Sequence, residues 1–118
     1  MSLTVDSIEE DGAVFLDCAD DMNALEMSGD FEELDKMLGK QWSSLKVALG
    51  MSRADYIDSA VIGWLLSLHK RFNESGGKLV LHSMNPSIER VLKLMRIDNV
   101  LNLAENRAEA KTQLMEDA

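Results

Sequence analysis

The chain has 118 residues, with 12 Lys plus Arg against 21 Asp plus Glu and a formal net charge of −9. Hydrophobic residues make up 46% of it, too many for a disordered acidic segment, so we expect a single domain over residues 1–118. Proteins bind duplex DNA and anionic membranes through clustered Lys and Arg, and an excess of acidic residues opposes that attraction. We therefore expect a protein partner, no nucleic acid and no membrane insertion.

Cys18 is the only cysteine in the sequence. An intramolecular disulfide and a cysteine-rich zinc site are therefore excluded, which favours a reducing compartment. No apolar run approaches the ~20 residues needed to span a bilayer, and the polar start lacks the basic and apolar regions of a signal peptide. These features predict a cytoplasmic protein.

Two short β-type runs open the chain, at residues 3–8 and 13–18, and a polar stretch ending in Gly12 separates them. Glycine reaches the positive φ of a tight turn without a steric penalty, so the pattern predicts an antiparallel hairpin.

The next predicted elements are a helix and a strand. Asp30 with Glu33 three residues later resembles a capping box and indicates a helix start. The apolar residues that follow repeat at helical spacing: Phe31, Leu34 and Leu38. A β run over residues 45–49 comes next, bounded by Gly50.

A second helix is predicted over residues 60–72, and Gly76-Gly77 ends it, because glycine suits the left-handed backbone of a C-cap. Its apolar face consists of Val61, Ile62, Leu65, Leu66, His69 and Phe72. Residues 78–82 then carry three consecutive apolar residues, which is typical of a central strand covered on both faces.

Asn85-Pro86 predicts a third helix, with Asn85 as N-cap and proline in the first turn. Its predicted buried stripe is Ile88, Val91, Leu92 and Met95. A short strand over residues 100–103 and a helix over residues 105–115 complete the order ββαβαβαβα. This order predicts an α/β fold: an open mixed β-sheet with helices packed on it and right-handed crossovers.

The sequence lacks the usual signatures of a metal, cofactor or nucleotide site. His69, His82 and Cys18 are far apart, and we interpret the histidines as packed or edge residues rather than as ligands or bases. Gly76-Gly77 follows a helix and precedes a strand, the reverse of a phosphate-binding loop. We expect no catalytic residues, no cofactor and no enzyme activity.

The acidic pair Asp20-Asp21 resembles that of a phospho-acceptor receiver domain, but no equivalent acid ends the third strand. We interpret the pair as part of a solvated loop.

The segment from Asp55 to Ala60 joins a strand to a helix and places Ser59 at or beside the helix N-terminus. One interpretation is that Ser59 or Asp58 only caps the helix, which contributes about 1 kcal/mol. The other is phosphorylation of Ser59, because the N–H groups and the dipole of a helix start accept added negative charge. Spacing by itself favours the cap.

The second half of the chain resembles the STAS domain of bacterial anti-sigma factor antagonists. The matching segments are Tyr56-Ile57-Asp58-Ser59-Ala60-Val61-Ile62-Gly63, Lys70-Arg71-Phe72, Gly76 to Leu81, Asn85-Pro86, Val91-Leu92 and Leu94 to Ile97, ending in Leu101. The resemblance implies that Ser59 is phosphorylated by a partner that is both anti-sigma factor and serine kinase, with a serine phosphatase as a further partner. The unphosphorylated form would bind that partner and release a sigma factor.

The same resemblance implies a partner surface around Ser59. The residues expected there are Asp21, Asp58, Ser59, Ala60, Val61, Gly63 and Trp64. Val61 stands where the family usually has glycine, so we expect a branched side chain where a kinase would approach. Trp64 lies off the apolar stripe and is expected to be a contact residue or to pack against a neighbouring helix. The alternative function is a STAS adaptor that docks on the ATPase of a lipid-transport ABC system without phosphorylation.

Overall fold

Five strands form one mixed sheet in a computed structural model that describes residues 3–18, 31–54 and 56–116. The strands are β1 (Leu3–Ile8), β2 (Ala13–Cys18), β3 (Lys46–Gly50), β4 (Lys78–His82) and β5 (Asn102–Ala104). They lie in the order β1-β2-β3-β4-β5; β1 and β2 are antiparallel, and β2 to β5 are parallel. The predicted hairpin and the predicted open mixed sheet are confirmed.

Four α-helices pack on the two faces of this sheet. They are α1 (Glu32–Leu38), α2 (Ser59–Glu74), α3 (Pro86–Leu94) and α4 (Arg107–Met115). Buried residues of α1, α2 and α3 share one large cluster with Val47, Leu49, Leu79 and Leu81. Ala110 and Leu114 of α4 pack with Phe15, Ala48 and Val80 on the opposite face. The three crossover helices therefore cover one face, and α4 is the helix of the described residues that covers the other.

The connection from α2 to β4 depends on both of its glycines. Gly76 has a φ of 83°, and the Gly77 N–H donates to the Phe72 carbonyl at 2.9 Å, which closes the last turn of α2. A Cβ at Gly77 would collide with the backbone carbonyl oxygens of Ser43 and Leu45. Gly77 thus allows the chain to pass close beneath the start of β3.

The buried stripe predicted for α3 is wrong in two of its four positions. Ile88 and Leu92 are buried, but Val91 is 39% exposed and Met95 is 52% exposed. Helix α3 is only nine residues long, and its nearest neighbour in the fold is the short 3-10 turn Ile97–Asn99. Its buried contact is made by one i, i+4 pair, Ile88 and Leu92.

Other expectations need smaller adjustments. Strand β4 is covered on both faces as predicted, but the middle strand of the five is β3, because β5 pairs beyond β4. The Glu33 carboxylate accepts a hydrogen bond from the Leu3 N–H at 3.3 Å, which ties α1 to β1. The proposed cap Asp30 lies outside the described residues, as do Asp20 and Asp21.

Candidate partner-binding site

The β3–α2 connection leaves the sheet at the carboxyl end of β3 and is anchored at two buried residues. Met51 donates its N–H to the His82 carbonyl at 3.0 Å, and Ala54 donates to the Met51 carbonyl at 3.1 Å. The Asn85 side-chain amide donates to the Ala54 carbonyl at 3.2 Å. This second contact of Asn85 was not predicted, because only its capping role has a signature in nearby sequence.

Helix α2 begins at Ser59, and Asp58 is its N-cap. The Asp58 carboxylate accepts a hydrogen bond from the Val61 N–H at 2.9 Å, and its backbone is extended, as a cap requires. Of the two predicted caps, Asp58 is thus the one that forms. Ser59 occupies the first helical position with an exposed side chain.

The exposed surface of the first turns of α2 is made of small residues. Ala60 is exposed, and Gly63 is exposed one turn further along, where an added Cβ would meet no atom within 4 Å. Tyr56, on the preceding loop, is 58% exposed. A partner could therefore approach the backbone of the first turns of α2 closely.

Val61 is fully buried against the core, with 0% of its surface exposed. Its branched side chain therefore does not obstruct the approach to Ser59. Val61 supports the site in two ways. Its side chain packs the first turn of α2 onto the sheet, and its N–H donates a hydrogen bond to the Asp58 carboxylate.

Trp64 lies half-buried beside this surface. Its ring packs 5.7 Å from that of Phe31, and its Nε1 is buried with no hydrogen-bond partner among the described residues. Phe31 itself has a left-handed backbone, with a φ of 57°, directly before α1. The structure agrees with both expectations for Trp64, packing and partner contact, because its ring packs on Phe31 and part of its surface faces solvent. The expected contact residue Asp21 lies outside the described residues.

Both histidines are buried, as expected for packed residues. Burial lowers the pKa of His69 and of His82, and the charge of Asp17 opposes part of that shift at His82.

Among the described residues no group of three or more His, Cys, Asp or Glu could hold a metal ion. Within the same ranges no helix is both long enough and apolar enough to cross a membrane.

Comparison with known proteins identifies the family. The STAS domain profile matches residues 4–110, so the chain belongs to the STAS family. A protein of Thermotoga maritima classed with the anti-sigma factor antagonists is 31% identical over 80 residues, which are 68% of this chain and 69% of that protein. An anti-sigma F factor antagonist of Paenibacillus polymyxa is 25% identical over 68 residues, which are 58% of each chain.

Solved structures agree with this assignment. A Thermotoga maritima protein of the same class has a TM-score of 0.78 at 26% identity, covering 97% of this chain and 95% of its own. An anti-sigma-factor antagonist domain protein of Planctomyces limnophilus has a TM-score of 0.74 at 22% identity, covering 97% and 98%. Relatives with these names are regulatory binding proteins, not enzymes, which agrees with the expectation for this chain.

Proposed function

We propose that this protein is an anti-sigma factor antagonist that acts in the bacterial cytoplasm and is switched by phosphorylation of Ser59. Unphosphorylated, it binds an anti-sigma factor that is also a serine kinase, and a sigma factor is released. A serine phosphatase restores the binding form. The observation that carries the proposal is the exposed Ser59 at the first position of α2, within a STAS domain and beside two exposed small residues, Ala60 and Gly63.

The position of Ser59 suits a switch that leaves the fold intact. A phosphoserine adds about −1.5 to −2 charges. The first turn of a 16-residue helix offers unpaired N–H groups and the positive end of the helix dipole to that charge. Asp58 is already occupied in capping at Val61, so the phosphate does not need to displace it.

The same phosphate opposes partner binding. In a complex built on Ser59, Ala60 and Gly63, a dianion beside Asp58 would have to be desolvated next to a like charge. Each 1.4 kcal/mol of that cost lowers affinity tenfold. Asp21 and Trp64 are proposed as further contacts, and Val61 as a residue that supports the surface from below.

The test is phosphorylation by a candidate anti-sigma factor kinase from the same organism. Incubation with that kinase and ATP, followed by intact-mass measurement and peptide mapping, should place one phosphate on Ser59. Ser59→Ala should abolish it. Ser67→Ala is the matched control, because Ser67 is an exposed serine two turns further along the same helix, and it should leave phosphorylation unchanged.

Binding measurements complete the test. Ser59→Asp should weaken binding to the same partner by at least about tenfold, equivalent to 1.4 kcal/mol, while thermal unfolding changes little. Absence of phosphate under conditions that modify a positive control, together with equal affinity of wild type and Ser59→Asp, would overturn the proposal. Binding to the ATPase of a lipid-transport ABC system without phosphate would instead support the adaptor function.

A further inference from the structure

Three adjacent parallel strands end in a row of polar and small residues away from Ser59. Asp17 pairs in register with Gly50, and Gly50 pairs with His82, at the carboxyl ends of β2, β3 and β4. Ala48 and Val80, two residues earlier on their strands, pack against α4. Side chains two residues apart point to the same face of a sheet, so this row lies on the α4 face, opposite α2.

Two neighbouring side chains close over Gly50. A Cβ at Gly50 would clash with the Asp17 Oδ1 atom and would lie 3.1 Å from Cε1 and 3.3 Å from Nε2 of His82. The Cε1–Nε2 edge of the imidazole and the Asp17 carboxylate therefore both lie over Gly50.

The other nitrogen of His82 is hydrogen-bonded to a serine. The distance between His82 Nδ1 and Ser83 Oγ is 2.8 Å. Ser83 is half-buried and holds a left-handed backbone with a φ of 62°, which is uncommon for a residue other than glycine. Residues held in such conformations cluster at functional sites.

The environment of His82 keeps its ring uncharged near pH 7. In the tautomer that carries the ring proton on Nε2, the Nδ1 lone pair accepts the Ser83 hydroxyl proton. Burial lowers the pKa of His82, so the ring is neutral near pH 7 and able to take up that proton. A hydroxyl that donates to a neutral imidazole is the pairing of a nucleophile with its general base.

We propose that Ser83 is a second modification site, an activated serine that accepts an acyl group from an activated ester or thioester. His82 is its general base. Ser83 Oγ attacks the acyl carbonyl, its proton passes to His82 Nδ1, the new Oγ–C bond forms, and the bond from the carbonyl carbon to the leaving alkoxide or thiolate breaks. The leaving group then takes the proton. One acyl group is transferred per chain, so the step is a modification and not turnover.

The test uses p-nitrophenyl acetate as the acyl donor and the intact protein. Trypsin should release residues 79–90 as one peptide, which contains Ser83 and the exposed Ser87. Fragment masses from this peptide separate the two serines without any variant. Ser83 should be acetylated at least about 100-fold faster than Ser87, the advantage typical of a positioned general base.

Variants assign the roles. Ser83→Ala should remove the fast acetylation, and His82→Gln should slow it by a similar factor while circular dichroism shows a folded chain. Equal rates at Ser83 and Ser87 in the wild type would overturn the proposal, whether or not His82→Gln folds. An unchanged rate in a folded His82→Gln protein would overturn it as well. Ser59→Ala should leave Ser83 reactivity unchanged, so this result is independent of the proposed switch.

Discussion

Asp58 and Ser59 are adjacent in the chain, but their surroundings give them different tasks. The Asp58 carboxylate is half-buried and bound to the Val61 N–H, whereas the Ser59 side chain is exposed. Spacing alone left the cap assignment open between them, because either residue type caps helices well. The hydrogen bond identifies Asp58 as the cap, and the Ser59 side chain stays exposed.

We predict that Asp58→Ala lowers the free energy of unfolding by about 1 kcal/mol, because the Val61 N–H loses its acceptor. Asp58→Asn keeps a side-chain oxygen at the cap and should lose much less. Urea denaturation of the three proteins measures the difference. Equal stability of Asp58→Ala and wild type would show that the cap contributes nothing to the fold.

At the scale of elements, the sequence signals that succeeded are local ones. Asn85 caps α3 through the Ile88 N–H at 3.0 Å, and Gly76 ends α2, both as predicted. The exposure of Val91 and Met95 was not predictable, because it depends on which neighbours α3 meets in the fold. Helical periodicity identifies an apolar face but does not show how much of that face has something to pack against.

Two glycines of the α2 region should respond to alanine in opposite ways. Gly77→Ala places a Cβ against backbone carbonyl oxygens that cannot move aside, so we expect a loss of about 1–3 kcal/mol. Gly63→Ala adds a Cβ in open space inside a helix, so we expect a gain of about 0.5–1 kcal/mol. Chemical denaturation of both variants tests the pair, and the same sign of change in both would contradict it.

For the molecule as a whole, the arrangement of the sheet follows from the order of elements, because short right-handed crossovers leave few alternatives. The Asp17–Gly50–His82 row could not be found in the same way. Its members are separated by more than 30 residues in sequence and meet only through strand register. Nothing near Gly50 in the sequence indicates that two side chains close over it.

The buried histidines should make stability depend on pH. Burial lowers the pKa of His69 and His82 below the ordinary value of 6.5, so below that pH the unfolded chain binds more protons than the folded chain. The free energy of unfolding should therefore fall as pH decreases from about 7.5 to about 5.5. A double variant, His69→Gln with His82→Gln, should show a shallower fall in urea denaturation. A parallel pH profile in that variant would contradict the prediction.

The two tryptophans lie in different environments, so the fluorescence of one can be used to follow binding separately from folding. Trp42 is fully enclosed and donates its Nε1–H to Asp35 at 2.8 Å, whereas Trp64 is half-buried next to the surface around Ser59. Intrinsic fluorescence of a Trp42→Phe protein would thus come from Trp64 alone. Its emission would report the docking of the proposed partner in real time and without any attached dye.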